Sequence, residues 1–511
     1  MIELDGNNLT LDRAQRIVFA GEEVTASRCA RVRVELAQQA VERVVTAEVP
    51  IYGINTGFGR LSNESIPTDR LQELQRNIIL SHAVGVGDLM PEEGVRTVLL
   101  FRINSLLKGN SGIRFQTIAY LIDLMNKGVY PCIPMQGSVG SSGDLAPLAH
   151  LALVLLGKGE AVHDGERVDG EQALALIDRP PLTLAPKEGL ALLNGTQFMS
   201  ALAFRVAVRG RRLLENAIAA AALSLEGLRA FTAPFDERLH QGRPHPGQVE
   251  IARRIRALLN GSSLVDSAQG DVQDAYSLRC IPQVLGPAVE ALSFLEEKLK
   301  IEINAATDNP LIFASDPSSS GGVLPDGTAA AVVSGGNFHG QILGLALETA
   351  SMALAEVGSI AERRIDKLLT SPSRGLPLFL VKEGGVNSGL MLVQYTAAAL
   401  VSENKVLCHP AIVDSIPTSG GKEDHNSLAP ISGRKGLKII DNLEQIVAIE
   451  YLCAAQAIDL QGAGGLGEAT RRLHARVRAI AAPFDQDRFL APEMNRLAKA
   501  VGEGEVADGI V

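Results

Sequence analysis

Residues 197–232 read QFMSALAFRVAVRGRRLLENAIAAAALSLEGLRAFT, a run without proline in which Ala, Leu and Arg dominate. Residues of this kind lose little on entering a helix. The stretch therefore predicts one helix about 50 Å long at 1.5 Å of rise per residue. Two more proline-free stretches, 328–369 and 437–460, predict further long helices. In the latter, Ile440, Leu443, Val447, Tyr451 and Ala454 recur at spacings of three and four, which marks one buried stripe. Helices this long draw their stability from packing. The pattern predicts a mainly α protein: a long-helix bundle and C-terminal helical region over 197–511, open to completion by other subunits.

Residues 1–196 form a smaller N-terminal region. Its first fifty residues predict a short strand and then a helix, with apolar residues at helical spacing from Ser27 to Val45. Residues 52–59, Tyr-Gly-Ile-Asn-Thr-Gly-Phe-Gly, are too rich in glycine for a helix. The helical pattern resumes at Thr68 and runs to about Met125, with a break at 85–87. Residues 161–171 predict a β-hairpin turning at Asp164-Gly165. Residues 314–327, with Asp-Pro-Ser-Ser-Ser-Gly-Gly, predict a flexible surface loop.

Composition excludes several function classes. The 511 residues are 46% apolar but only 4% aromatic, with no Trp, which favours packed helices over a β-sandwich. Acidic residues outnumber basic ones by 58 to 48, for a net charge of −10, and no basic block stands out; nucleic acid is not an expected partner. No charged n-region and apolar stretch open the chain, and no apolar run reaches membrane length, so no membrane is expected. Cys29, Cys132, Cys280, Cys408 and Cys453 are odd in number and form no Cys-x-x-Cys, as expected of reduced thiols in the cytoplasm. The histidines show neither H-x-x-x-H nor H-E-x-x-H, so no metal is expected. Residues 462–467 satisfy G-x-G-x-x-G but follow a helical segment, and the dinucleotide reading fails on that context.

The chemistry lies in residues 137–150, Gly-Ser-Val-Gly-Ser-Ser-Gly-Asp-Leu-Ala-Pro-Leu-Ala-His. Gly140 and Gly143 allow a sharp bend. If the Gly143 amide nitrogen is pressed against the Ser141 carbonyl carbon, a five-membered ring can close. Loss of one water in closure and another from the Ser142 side chain leaves a 4-methylidene-imidazol-5-one, an electrophile made from the chain itself. Ser319-Ser320-Gly321 and Thr418-Ser419-Gly420 have similar composition, and a bare tripeptide of this kind is most often a turn.

The run 137–150 resembles the electrophile-forming loop of the aromatic amino acid ammonia-lyases and aminomutases, which usually carry Ala-Ser-Gly where this chain has Ser141-Ser142-Gly143. Only the backbone carbonyl of the first residue enters the ring, so Ser141 permits closure. Matching stretches extend from about residue 50 to 430, including 304–310 and 384–390. The resemblance implies a role for each matched residue. Tyr52 would be the base that takes the β-proton; its phenol, with a reference pKa of ~10, needs a cation or oriented donors that outweigh burial. Ser81-His82 resembles the substrate-selecting pair of histidine-specific members, where one imidazole bonds another. Asn194, in Leu192-Leu193-Asn194-Gly195, would contact the electrophile's ring oxygen. Gln273, Tyr276 and Arg279 fall in one matched stretch, and the planar fork of Arg279 suits a substrate carboxylate. Phe338 would pack on the ring. Glu423 would meet the substrate imidazole, with Lys422 standing where Gln is frequent.

The implied reaction is loss of ammonia from L-histidine to give trans-urocanate, in a cytoplasmic homotetramer whose sites are shared between subunits. The implied prosthetic group comes from Ser141, Ser142 and Gly143, with no metal and no diffusible cofactor. Three other readings stay open. One is a tyrosine or phenylalanine ammonia-lyase, or an aromatic 2,3-aminomutase, using the same electrophile. The second is a non-catalytic binding or scaffold protein in which Ser141 blocks ring closure. The third is a hydrolase using Ser142.

Overall fold

The helix expected over 197–232 spans Gln197–Gly227 in the computed structural model of the protein, which describes residues 1–47, 50–267, 272–314 and 331–510. It stops short of Thr232 because Arg229 turns into the left-handed region at φ 53°. The Arg229 and Ala230 amides then donate to the Glu226 and Leu225 carbonyls, the paired closing bonds of a Schellman end. The stretch 328–369 is helical only over Gln341–Leu369. Ahead of it, Ala331–Val333 is a strand antiparallel to Leu311–Phe313, and Gly335-Gly336 separates strand from helix because glycine is a poor helix former. Residues 328–330 lie outside the described residues. The third long helix exceeds its expected span and covers Ala429–Gln461, with Pro430 in the first turn, where no intrahelical acceptor awaits an N–H. All five residues of its expected stripe are fully buried.

The chain divides into two compact units. The second comprises Arg205–Leu295, Ala346–Pro410 and Lys435–Val511. It holds the larger part of four long helices, Gln197–Gly227, Ile281–Glu302, Gln341–Leu369 and Ala429–Gln461. Between two of them Arg364 meets Glu450 through two bonds of 2.6 and 2.8 Å, both side chains fully buried, and Ser224 Oγ donates to the same carboxylate at 2.7 Å. A two-pronged pair with a further donor offsets the desolvation of both ions. Gln341–Leu369 is long and apolar enough to cross a membrane, yet over half of its most apolar window is buried within the protein. It also carries Glu348, Glu362 and Arg364 as buried charges, as a core helix can when each is paired.

The first unit comprises Met1–Phe204, Glu296–Leu345 and Ala411–Arg434. Its strands are short. Ile2–Leu4 pairs in parallel with Val24–Ala26, a second strand not expected within residues 1–50. Val86–Leu89, at the expected break in the helical pattern, pairs with Pro134–Gln136. A further break, also unexpected, separates Glu92–Leu107 from Phe115–Asn126. The predicted hairpin is Glu160–His163 with Glu166–Asp169. The loop expected over 314–327 falls, from residue 315 on, outside the described residues.

Three helices of this unit pack on one another: Leu71–His82, Leu145–Leu155 and Glu188–Leu193. Their ends carry His82, the 137–144 loop and Asn194. The third is anchored by Glu188, fully buried, whose carboxylate accepts from the Arg114 guanidinium, the Thr117 hydroxyl and the Arg114 and Ala185 amides. Glu188→Ala removes the carboxylate these donors share and leaves Arg114, among the described residues, only the Thr183 carbonyl. It is expected to destabilise the fold by about 3–5 kcal/mol, read as a lower midpoint in urea denaturation.

Candidate active site

The 137–144 loop is held from two sides. On one side Gly143, at φ +76°, lies flat against Gly195: a Cβ there would stand 2.1 Å from the Gly195 carbonyl oxygen, so no other residue fits. The Asp144 amide donates to that same oxygen at 2.8 Å, and Asn194 Nδ2 donates to the Ser142 carbonyl at 3.0 Å. On the other side Ser427 Oγ donates to the Gly140 carbonyl at 3.1 Å and the Leu428 amide to that of Val139 at 2.9 Å. Asp144 is fully buried and accepts from the Met199 amide at 2.9 Å and Ser138 Oγ at 3.3 Å. Burial pushes its carboxyl up to about 7, although donors in the first turn of Gln197–Gly227 favour the anion.

Beside Ser142 lies a cavity of about 460 Å3 whose walls include Tyr52, Ser81, His82, Ser142, Asn194 and Glu423. The size suits a small-molecule substrate. Ser142 Oγ donates to Glu423 Oε1 at 3.3 Å, and Thr418 Oγ1 to Glu423 Oε2 at 2.7 Å. Lys422 is exposed. Thr418-Ser419-Gly420, an alternative cyclisation tripeptide by composition, forms the tight turn that bridges Thr418 to Glu423. Ser319-Ser320-Gly321 lies outside the described residues.

His82 closes its helix half-buried, with Nδ1 3.0 Å from Ser81 Oγ. Burial lowers its pKa, opposed by a bond to the Ile78 backbone and by Glu423, and the ring is neutral at neutral pH. The Ser81 hydroxyl donates to the Ile78 carbonyl, so Nδ1 carries the ring proton and Nε2 is the acceptor. Tyr52 is half-buried, and burial raises its phenol pKa. Glu423 and Asp308 raise it further, against a backbone bond from Gly59. Among the described residues no cation contributes to these influences, and the one oriented donor, the Gly59 backbone, does not outweigh burial.

The other sequence-selected residues lie elsewhere. Phe338 is half-buried in the turn after Ala331–Val333 and is not among the cavity's walls. Gln273, Tyr276 and Arg279 belong to the second unit. Gln273 and Tyr276 are exposed, the Arg279 guanidinium sits 4.5 Å over the Tyr276 ring, and its Nε has no acceptor among the described residues. Gln273 and Arg279 line a different cavity of about 440 Å3. Among the described residues no cluster of His, Cys, Asp and Glu could hold a metal ion.

Residues 9–479 match the family described as aromatic amino acid lyase. The chain belongs to that family. Among its relatives, a histidine ammonia-lyase of Caldanaerobacter subterraneus is 45% identical over 509 residues, covering 99% of this chain and 97% of that one. The crystal structure of a histidine ammonia-lyase from Trypanosoma cruzi superposes with a TM-score of 0.89 at 41% identity, covering 99% of this chain and 94% of that one. A tyrosine aminomutase from Streptomyces globisporus gives 0.91 at 36% identity, covering 99% and 97%.

In this aromatic amino acid lyase, several residues behind the site escaped sequence reasoning. Lys187, in the left-handed region at φ 74°, donates to Asp308 at 2.7 Å, both fully shielded from solvent. Arg102 is likewise buried, behind Asn194. Its signal was a lone cation inside the apolar run Val98-Leu-Leu-Phe-Arg-Ile103.

Proposed function

We propose that this protein is a carbon–nitrogen lyase that removes ammonia from L-histidine to give trans-urocanate, using an electrophile formed from Ser141, Ser142 and Gly143. The observation that carries it is the Asn194 amide donating to the Ser142 carbonyl, in a loop pressed flat by Gly195 and facing an imidazole and a carboxylate. Near-full-length likeness to histidine ammonia-lyases supports the substrate.

These residues fit the implied group. In cyclisation the Gly143 nitrogen bonds to the Ser141 carbonyl carbon, whose oxygen leaves with two protons as water. Ser142 then loses Oγ and its Cα hydrogen as a second water. The Ser142 carbonyl oxygen remains, and it already has a donor in Asn194. The departing Oγ faces the Glu423 carboxylate. Once formed, the group supplies an electron-poor methylidene carbon that makes the substrate's amine a better leaving group. Tyr52 Oη takes the β-proton. His82 Nε2 accepts from the substrate imidazole, and Glu423 orients it from the other side.

Gln273, Tyr276 and Arg279 reach this cavity from a neighbouring copy in a cytoplasmic homotetramer, with Arg279 on the substrate carboxylate and Phe338 against the ring. That arrangement also supplies the cation Tyr52 needs. A hydrolase is disfavoured because the Ser142 hydroxyl donates to a carboxylate rather than to a histidine. An aryl-specific lyase or aminomutase is separated by product analysis with L-histidine, L-tyrosine and L-phenylalanine; urocanate from histidine alone is expected. His82→Leu is expected to lower kcat/KM for histidine about 10- to 100-fold, the scale of one buried hydrogen bond, without lowering it for phenylalanine. An unchanged ratio would remove His82 from substrate selection.

A further inference from the structure

Arg102 is 1% exposed, on the helix Glu92–Leu107, and is among the largest fully buried side chains. Its bonds go to neutral oxygens: Nη1 to the Asn194 carbonyl at 2.9 Å and to Gln197 Oε1 at 2.6 Å, and Nη2 to the Ala191 carbonyl. Its Nε has no acceptor among the described residues. Burial lowers its pKa to about 10, with Asp308 and Asp144 acting through space in the other direction, so it stays charged at neutral pH. A buried cation bonded to no carboxylate is costly, and an apolar side chain of similar volume is often as stable or more so.

The location of this cation is informative. Ala191 and Asn194 are at the C-terminal end of Glu188–Leu193, where backbone carbonyls gather negative character. Neutral donors would satisfy those carbonyls, so capping alone does not require a charge. What lies beyond them is the electrophile loop. A Cβ on Gly195 would stand 2.5 Å from Arg102 Nη1, and a Cβ on Gly143 would stand 2.1 Å from the Gly195 oxygen. The guanidinium, with Gln197 Oε1 beside it, therefore packs against Gly195, and Gly195 packs backbone to backbone against Gly143. From Arg102 the path to the reacting loop is two hydrogen bonds: Nη1 to the Asn194 carbonyl, then Asn194 Nδ2 to the Ser142 carbonyl. Gln197 extends the support, since its Nε2 donates to Thr307 Oγ1 at 2.8 Å.

We propose that Arg102 is a positioning residue for the electrophile. It clamps the 191–197 turn so that Asn194 aims at the Ser142 oxygen and Gly195 flattens Gly143, and it places a fixed positive charge behind the oxygen that becomes negative during turnover. Preorganised charge of this kind is effective in a dry site because nothing must reorient when the reaction begins. The inference rests on the function proposed above.

The test compares full-length wild type, Arg102→Met and Arg102→Lys by intact mass, thermal melting and urocanate kinetics. Wild type is expected to lack two waters relative to its translated mass. Arg102→Met removes a buried charge at nearly constant volume. It is expected to fold with wild-type helicity, to retain the two waters in most molecules, and to show kcat per dehydrated chain lower by about tenfold or more, less than loss of a direct oxyanion donor, with KM within about twofold. Arg102→Lys, which keeps the charge and loses the fork, is expected to fall between the two. If Arg102→Met is not recovered folded, Arg102→Lys decides by the same mass and kcat-against-KM readouts. Full dehydration with wild-type kcat in a folded variant overturns the role of Arg102 and leaves the function standing. A wild type that keeps both waters while releasing urocanate overturns the electrophile itself, and the inference with it.

Discussion

Ser142→Ala is expected to lower urocanate formation by at least about a thousandfold, roughly 4 kcal/mol of barrier, while leaving the fold intact. The reaction is hard on two counts: an amine leaves poorly, and the β-hydrogen of histidine is barely acidic. The proposed electrophile would address the first, and alanine lacks the hydroxyl whose departure would create it. Structurally the change is small. Among the described residues Ser142 Oγ bonds to Glu423, at 3.3 Å, and Glu423 keeps its Thr418 partner at 2.7 Å. A melting temperature near wild type alongside lost turnover therefore separates chemistry from folding. Intact mass gives a second, independent reading, because the variant cannot shed the second water. Equal activity in wild type and Ser142→Ala would end the proposal.

Tyr52→Phe comes next in size, with kcat expected to fall by about 10²–10⁴, the usual range for a general base. Substrate affinity should stay within severalfold, since the ring that walls the cavity is kept. The pH profile sharpens this. Within one chain, burial, Glu423 and Asp308 raise the phenol's pKa, and the cation proposed from the neighbouring copy acts in the other direction. The basic form grows tenfold with each pH unit below the pKa. Wild-type kcat/KM is accordingly expected to climb on the alkaline side, and that limb should vanish in Tyr52→Phe. Unchanged turnover in the variant, or a limb that persists, would remove Tyr52 from the mechanism.

The long helices were legible because their apolar stripes repeat at a helical spacing over many turns, as in Ile440 to Ala454. Their ends were less so. Gln197–Gly227 closes on Arg229, a residue that carries no glycine-like stop signal. The strands Val24–Ala26 and Ala331–Val333 are three residues long and exist because remote partners pair with them, which no local pattern announces. The cavity wall was legible wherever a motif carried it, as at Tyr52, Ser81-His82, Asn194 and Glu423. Arg102 and the Lys187–Asp308 pair were not, since their meaning depends on what the fold packs around them. Gln273, Tyr276 and Arg279 were selected by motif, yet none of them walls this cavity, and Gln273 and Arg279 line a different one.

The contact between Gly143 and Gly195 joins positions that only the finished tertiary structure brings together. A nascent or denatured polypeptide has no surface against which the tripeptide could be flattened, so on the proposed chemistry cyclisation would follow folding. Each molecule that had lost the two waters would then carry a permanent record of having once been native. Weighing a preparation would count how many of its chains had passed that checkpoint, even after they are later unfolded.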